Sequence, residues 1–112
     1  MKLPNGGDAI VDLVKLRDYC LSPSHVRGRH KARIFASALG LTQADAEFVR
    51  EHLLSAAKTE DAVESGRDDY GQRYIVDFTL IRGERQARVR SAWIILRGER
   101  LPRLTSCYVL LN

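Results

Sequence analysis

The segment from Ser22 to Arg33 concentrates side chains that suit a phosphate ligand. It holds four Lys or Arg residues and two His residues within twelve positions. A loop with Pro and Gly leads here into a helix, and backbone N–H groups at a helix start attract anions. Guanidinium groups pair with phosphate oxygens, and imidazole exchanges a proton near neutral pH. The segment is predicted to be either an anion-binding surface or the acid–base half of a phosphodiester-cleaving site.

Cleavage of RNA without a metal needs a base, an acid and cations that offset the charge growing on the phosphate. His25, in the loop before the helix, is the predicted acid or base, and Lys31 is a cation on the same side of that loop. The last strand adds hydroxyl groups from Thr105 and Tyr108. These four residues and Arg90 form the predicted catalytic set.

Further cations are predicted to hold the substrate. Arg88 shares a strand face with Arg90, about 7 Å away along the pleat, so the two form a phosphate-sized fork. Flanking phosphates are assigned to the basic residues of the loop and the helix that follows it, namely Arg27, Arg29, His30 and Arg33.

Each assignment has a plain structural alternative. A His in a Pro and Gly loop is often a turn or cap residue. Arg residues on a strand commonly face acids on the neighbouring strand, such as Asp77. Thr and Tyr favour strands whatever their chemistry, and basic residues on a helix often only face water.

Length and charge limit the classes of protein. A chain of 112 residues with 45% hydrophobic residues forms one domain, residues 1–112, with a single core. Residues 42–69 carry eight acids and three bases, a charge of −5. The net charge of the chain is +4, so the remaining residues together carry +9. A basic body beside an acidic strip predicts a polyanionic partner on one face.

Several other kinds of site are excluded by pattern. The three His residues lack metal-ligand spacing, so no metal and no cofactor are expected. A nucleotide-binding loop and a hydrolase nucleophile motif are missing as well. Apolar runs are too short to span a bilayer, and no secretory signal is evident, so a cytoplasmic protein without a membrane role is expected. Cys20 and Cys107 are predicted to be reduced structural thiols.

Periodicity predicts helices first. Asp12 caps a helix over 13–21, a second begins near Gly28 and stops at Gly40, and Thr42 opens a third with a capping box.

Strand-like alternation follows over 72–81, 85–96 and 103–111, with a short strand at 62–64. Trp93 is expected in the core. The fold class is therefore α+β, with the N-terminal helices packed on one face of a three- to four-stranded antiparallel sheet.

The motifs also resemble a known family. Residues 15–35, with 87–95 and 102–108 behind them, resemble a small bacterial domain family of unknown function whose hallmark is KLxxYLLNPxHPxGxxKAxxF. Similar domains occur as short proteins encoded beside a small partner gene and at the C-termini of polymorphic toxins, and the latter are similar to ribonuclease toxins of the barnase–EndoU–colicin–RelE type. By position, the resemblance implies functional roles for His25, Lys31, Arg90, Ser91, Thr105 and Tyr108.

Residues and resemblance together predict the toxin of a bacterial toxin–antitoxin pair. It would be a metal-independent endoribonuclease that cleaves cellular RNA, with a cognate small antitoxin protein as partner and no DNA specificity. One alternative is a non-catalytic module that binds RNA or an acidic protein through the same surface. Another is an antitoxin-like or immunity-like protein that uses the acidic residues within 42–69.

Overall fold

Helices occupy the first half of the chain and strands the second. The computed structural model describes residues 1–111. The elements are a 3-10 turn (Gly6–Asp8), α1 (Leu13–Lys15), a π-helical turn (Leu16–Cys20), α2 (Arg29–Leu39), a 3-10 turn (Gln43–Asp45), α3 (Ala46–Thr59), β1 (Ala62–Asp68), β2 (Gly71–Arg82), β3 (Arg85–Leu96) and β4 (Arg103–Val109).

The predicted helix caps are confirmed. The Asp12 carboxylate accepts hydrogen bonds from the backbone N–H groups of Val14 and Lys15 at 2.9 and 3.3 Å. Thr42 and Asp45 form the predicted capping box. Gly40 ends α2 with a φ of 68°, a left-handed conformation that glycine adopts without strain.

The first helix differs from its predicted form. Only Leu13–Lys15 is α-helical, and Leu16–Cys20 winds as a π-helix closed by the bond from Leu21 N–H to the Leu16 carbonyl at 3.0 Å. This wider turn packs closely on the start of α2. The contact is so close that a Cβ added to Gly28 would overlap the carbonyl oxygen of Tyr19. Hydrophobic spacing could not reveal the π-helical winding, since Leu16 and Cys20 are buried in either form.

The sheet is an antiparallel meander in the order β1-β2-β3-β4. Asp77 on β2 pairs with Arg90 on β3, and Arg90 pairs with Tyr108 on β4. One residue earlier on β2, Val76 pairs with Ser91, which pairs in turn with Cys107. Because side chains alternate along a strand, these two rows point to opposite faces of the sheet.

The helices cover one face of this sheet, so the predicted α+β class is confirmed. The largest fully buried side chains come from both layers and include Trp93, Phe35, Leu53, Leu80 and Val89. Strand β1 extends beyond the predicted 62–64 and is exposed after Ala62. Within residues 1–111, no helix combines the length and apolar character needed to cross a bilayer.

Candidate functional site

A row of polar side chains crosses the sheet face that the helices leave open. The row consists of Asp77, Arg90 and Tyr108, which are paired in register on three adjacent strands. Lys31 and Ser106 join it at the β4 end. These five residues are called the polar row below.

Arg90 is held in a fixed orientation within the polar row. Its Nε and Nη2 atoms donate to the two carboxylate oxygens of Asp77 at 2.9 and 3.0 Å. Asp77 and then Tyr108 raise the pKa of Arg90 above its usual value, so the guanidinium stays charged. Both side chains of the pair remain partly open to water, 38% for Arg90 and 27% for Asp77. A fixed, charged and accessible donor suits an anionic ligand.

Lys31 approaches the same tyrosine from α2. Its Nζ atom donates to Ser106 Oγ at 3.2 Å and lies 4.9 Å from the centre of the Tyr108 ring. Among the residues that the structure describes, no carboxylate lies within salt-bridge distance of Lys31. The polar row therefore holds two cations and one anion, with a phenol between the cations. This excess positive charge favours a bound anion.

His25 lies in the predicted loop before α2, and its ring takes part in the hydrogen bonds of that loop. Its Nδ1 atom accepts hydrogen bonds from the backbone N–H groups of Arg27 and Gly28 at 3.1 and 3.2 Å, and its ring packs on Tyr19 at 4.4 Å between centres. An accepting Nδ1 carries no proton, so the proton of the neutral ring is on Nε2. To act as a general base through Nε2, the ring must carry its proton on Nδ1. To act as a general acid, it must carry protons on both nitrogens, Nδ1 included. Capping and proton transfer therefore compete at His25.

These two N–H groups lie just before α2, ahead of the helix-start N–H groups that were expected to bind an anion. No side chain caps the start of α2, and cationic side chains follow it. Arg27, Arg29, His30 and Arg33 are all exposed. Of these, Arg29, His30 and Arg33 are on the same helix as Lys31.

Two predicted hydroxyl groups are engaged inside the sheet. Ser91 is fully buried, donates to the Val76 carbonyl at 2.7 Å and accepts from Trp93 Nε1 at 2.9 Å. It belongs to the row that faces the helices, opposite the polar row. Thr105 lies at a register shift between β3 and β4, and its hydroxyl donates to the Ala92 carbonyl at 3.1 Å.

The remaining predicted cation lies on the same strand as Arg90. Arg88 is exposed and donates to Thr79 Oγ1 at 3.2 Å. It shares the sheet face of Arg90, as the alternation of β3 predicted. The predicted residues brought together at one point are thus Lys31, Arg90 and Tyr108.

Sequence reasoning did not assign a role to Ser106, and it named Asp77 only as a structural partner of an arginine. The alternation of β4 carried the signal for Ser106, because a residue two positions from Tyr108 shares its face. No group of three or more His, Cys, Asp or Glu side chains that could hold a metal ion occurs in the described part of the chain.

Comparisons with known proteins agree with this fold. The model of DUF6883, a domain of unknown function, matches residues 2–111. One similar solved structure is a chain of the "Contact-dependent growth inhibition toxin - immunity protein complex from Klebsiella pneumoniae 342". It has a TM-score of 0.71 and 17% sequence identity, and the similarity covers 91% of this chain and 100% of that one. No curated protein matches the sequence.

Proposed function

We propose that this chain, which belongs to the DUF6883 family of domains of unknown function, is a toxin that cleaves RNA without a metal and is neutralised by a partner protein. The observation that carries the proposal is the convergence of Lys31 and Arg90 on Tyr108 from a helix and a strand far apart in the sequence. The structural neighbour adds support, because its title names a toxin and an immunity protein.

The polar row would bind one phosphodiester group. Arg90, oriented by Asp77, and Lys31, held by Ser106, would offset the charge that grows on the phosphate oxygens as the ribose 2′-hydroxyl attacks phosphorus. Tyr108 lies between the two cations and would donate a proton to the departing 5′-oxygen. His25 would set the loop and the helix start. The proton of the attacking 2′-hydroxyl would pass to solvent hydroxide, because His25 could take it only if its capping bonds gave way.

The cations exposed along α2 would hold phosphates on either side of the cleaved bond. Arg29, His30 and Arg33 extend from the element that supplies Lys31, so a strand bound at the polar row can continue along this helix. Such contacts recognise the backbone of a nucleic acid and not its sequence.

The test is cleavage of RNA by the purified chain in EDTA, with the products separated on a gel. Arg90→Lys keeps the charge but loses the fork, and Lys31→Ala removes the second cation, so each is expected to lower the rate at least tenfold. Arg67→Ala is the matched control, because Arg67 is an exposed arginine on β1, an element outside the polar row. Undiminished cleavage in the Lys31→Ala, Arg90→Ala double variant would remove the proposed site.

A second candidate function is an immunity-like role. It is favoured by the exposed acids that follow one another through α3 and into β1, namely Glu47, Glu51, Glu60, Asp61 and Glu64. An acidic face of this kind could cover a basic toxin. Expression in bacteria separates the two functions. Growth arrest by this chain alone supports the toxin, whereas rescue from the product of the adjacent gene supports the immunity protein.

A further inference from the structure

A cavity at one end of the sheet has no part in the polar row. Its volume is about 560 Å³, within the range of roughly 300–1,000 Å³ that small-molecule sites occupy. It opens between the β1–β2 turn, at Asp69, and the β3–β4 loop, at Arg97 and Gly98. The Arg97 backbone N–H donates to the Tyr70 carbonyl at 2.8 Å and joins these two rims. Backbone contacts of the fold therefore form the cavity.

Tyr74 is buried in the wall of this cavity. It is only 6% exposed, and it lies on the helix-facing side of the sheet, because it pairs with Trp93 of the core. Every buried side-chain nitrogen or oxygen atom in residues 1–111 has a hydrogen-bond partner, whereas the Tyr74 hydroxyl has none there. The hydroxyl is therefore the accessible tip of a buried side chain, and it opens into the cavity that Tyr74 lines. A phenol in this position can donate a hydrogen bond to a ligand.

Unpaired charges also line the cavity. Arg67 and Arg97 form no ion pair within the described part of the chain. The carboxylates of Asp68 and Glu99 are each engaged by an arginine outside the cavity. Asp69 is exposed and forms no ion pair either. The free charges are thus two cations and one anion, which favours a ligand that combines a negative group with hydroxyl donors.

We propose that this cavity binds a small sugar phosphate. The phosphate would lie against the Arg97 guanidinium and the Tyr74 hydroxyl, because a phosphate monoester offers several acceptor oxygens and a charge that offsets the free cations. The sugar hydroxyls would donate to the Asp69 carboxylate and to the amide oxygen of Gln72. The Gln72 Nε2 atom already donates to the Gly66 carbonyl at 2.9 Å, so its oxygen is directed elsewhere. A free pentose phosphate and a nucleoside monophosphate share this chemistry.

The cavity is separate from the proposed RNA contacts. Tyr74 and Gln72 lie on the helix-facing side of the sheet, whereas the polar row crosses the open face. Along β3, Ile95 at the cavity is five residues from Arg90, which corresponds to about 17 Å of strand. The inference therefore goes beyond the proposed function and does not rest on it.

The experiment titrates the purified chain with ribose 5-phosphate and with adenosine 5′-monophosphate, and calorimetry measures the binding. At least one of the two esters should saturate a single site, with a dissociation constant below about 1 mM. Ribose and adenosine are the matched neutral ligands and should not bind, because they lack the phosphate. Inorganic phosphate should bind at least about tenfold more weakly, because it lacks the sugar hydroxyls. The tighter of the two esters identifies the source of the sugar phosphate.

Three variants test the assigned contacts. Tyr74→Phe keeps the buried ring but loses the hydroxyl, and it should weaken binding at least about fivefold. Arg97→Gln removes the guanidinium charge and should weaken binding at least about tenfold. Arg100→Gln is the matched control, because Arg100 is an exposed arginine of the same loop that does not line the cavity. It should bind like the wild type, and melting temperatures check that all three variants fold.

Amide shifts in NMR spectra of the labelled chain locate the ligand independently of the variants. The bound ester should shift Gly71 and Gly98, which line the cavity, more than Tyr108 of the polar row. Larger shifts at Tyr108 would overturn the inference, and so would the absence of saturable binding by both esters. Equally tight binding of inorganic phosphate, or unchanged binding in Tyr74→Phe and Arg97→Gln, would overturn it as well. Tyr74→Phe should still cleave RNA at the wild-type rate, so failure of this inference and failure of the proposed function are distinct results.

Discussion

The bidentate ion pair between Asp77 and Arg90 lowers the net positive charge at this point of the sheet, but it fixes the orientation of the guanidinium group. A free arginine would attract an anion more strongly, but its side chain would sample many rotamers. The bidentate pair leaves the Arg90 side chain one orientation. The conformational entropy of that side chain is therefore already lost in the free protein and does not oppose ligand binding. Asp77 is therefore proposed as a positioning residue that acts through Arg90.

Asp77→Asn tests this role. Loss of the carboxylate charge should free the guanidinium and lower RNA cleavage about tenfold, equivalent to about 1.4 kcal/mol. RNA binding should hold or increase, because one negative charge is removed from the face. Cleavage rates and filter binding at fixed salt measure the two effects separately.

Asp68→Asn is the control for that substitution. Asp68 accepts from Arg73 Nε at 2.9 Å, a similar pair outside the polar row. The control should cleave RNA at the wild-type rate. Equal losses in both variants would show that the Asp77 effect is one of stability alone.

Two possible roles of His25, accepting the loop hydrogen bonds and transferring a proton, can be tested separately by substitution. His25→Asn keeps an oxygen that can accept from the N–H groups of Arg27 and Gly28, but it cannot transfer a proton. His25→Ala loses both functions. If His25 only sets the loop, Asn should retain cleavage within about threefold while Ala loses about 1 kcal/mol of stability.

Urea unfolding and RNA cleavage of the two His25 variants give the comparison. A loss of cleavage in His25→Asn as large as that in His25→Ala, with stability unchanged, would assign proton transfer to the imidazole.

At the scale of elements, the contact between the π-helical turn and α2 depends on the missing side chain of Gly28. Gly28→Ala should destabilise the chain by about 1–3 kcal/mol, because the new methyl group would overlap the Tyr19 carbonyl. Gly7→Ala is the matched control, since no atom lies within 4 Å of its Cβ position. Chemical denaturation should show the Gly7 variant unchanged or slightly more stable.

The start of α3 predicts a dependence of stability on pH. The Thr42 backbone N–H and then Arg82 lower the pKa of Asp45 below its ordinary 3.8. A lowered folded pKa means stability that is present above the unfolded pKa and lost as the pH falls through the folded one. Asp45→Asn should therefore cost up to about 1 kcal/mol at pH 7 and progressively less below about pH 4.

Urea midpoints across that range measure the difference. Glu51→Gln is the control, because Glu51 is exposed on α3 and makes no side-chain hydrogen bond within residues 1–111. An Asp45→Asn deficit that is as large at pH 3 as at pH 7 would contradict the assignment.

The bounds of helices and strands that bury one face could be predicted from the sequence. The bounds of elements without a buried face could not. Alternation placed β2 and β3 and put Trp93 in the core. Strand β1 buries only Ala62, so backbone pairing with β2 and not hydrophobicity defines its length. Ser106 shares the face of Tyr108 and holds Lys31, whereas the predicted Thr105 lies at the register shift and donates to the Ala92 carbonyl.

At the scale of the whole molecule, the charge asymmetry predicts salt-dependent binding. Arg29→Ala and Arg33→Ala should each weaken RNA binding and reduce the slope of log K against log salt by about 0.7, as expected for one contact to a single strand. Arg67→Ala should leave the slope unchanged. Fluorescence anisotropy with a labelled RNA over a salt series measures all three, and equal slopes in every variant would place the RNA elsewhere.

The sequence predicted the chemical types of the candidate site better than its geometry. Lys31, Arg90 and Tyr108 were identified from residue type and motif position, but their meeting depends on α2 packing beside β4, a tertiary contact that no local pattern encodes. His25 was identified too, yet its engaged Nδ1 depends on the loop conformation. Long-range packing and hydrogen-bond direction are the parts that needed coordinates.

All helices of the described chain precede all of its strands, and this order allows the molecule to be divided. A single interruption near residue 60 would leave Lys31 on one piece and Arg90 with Tyr108 on the other. Neither piece would carry a complete polar row. Fused to two proteins that bind each other, such halves would be the starting point for a two-part reporter whose signal depends on their reunion.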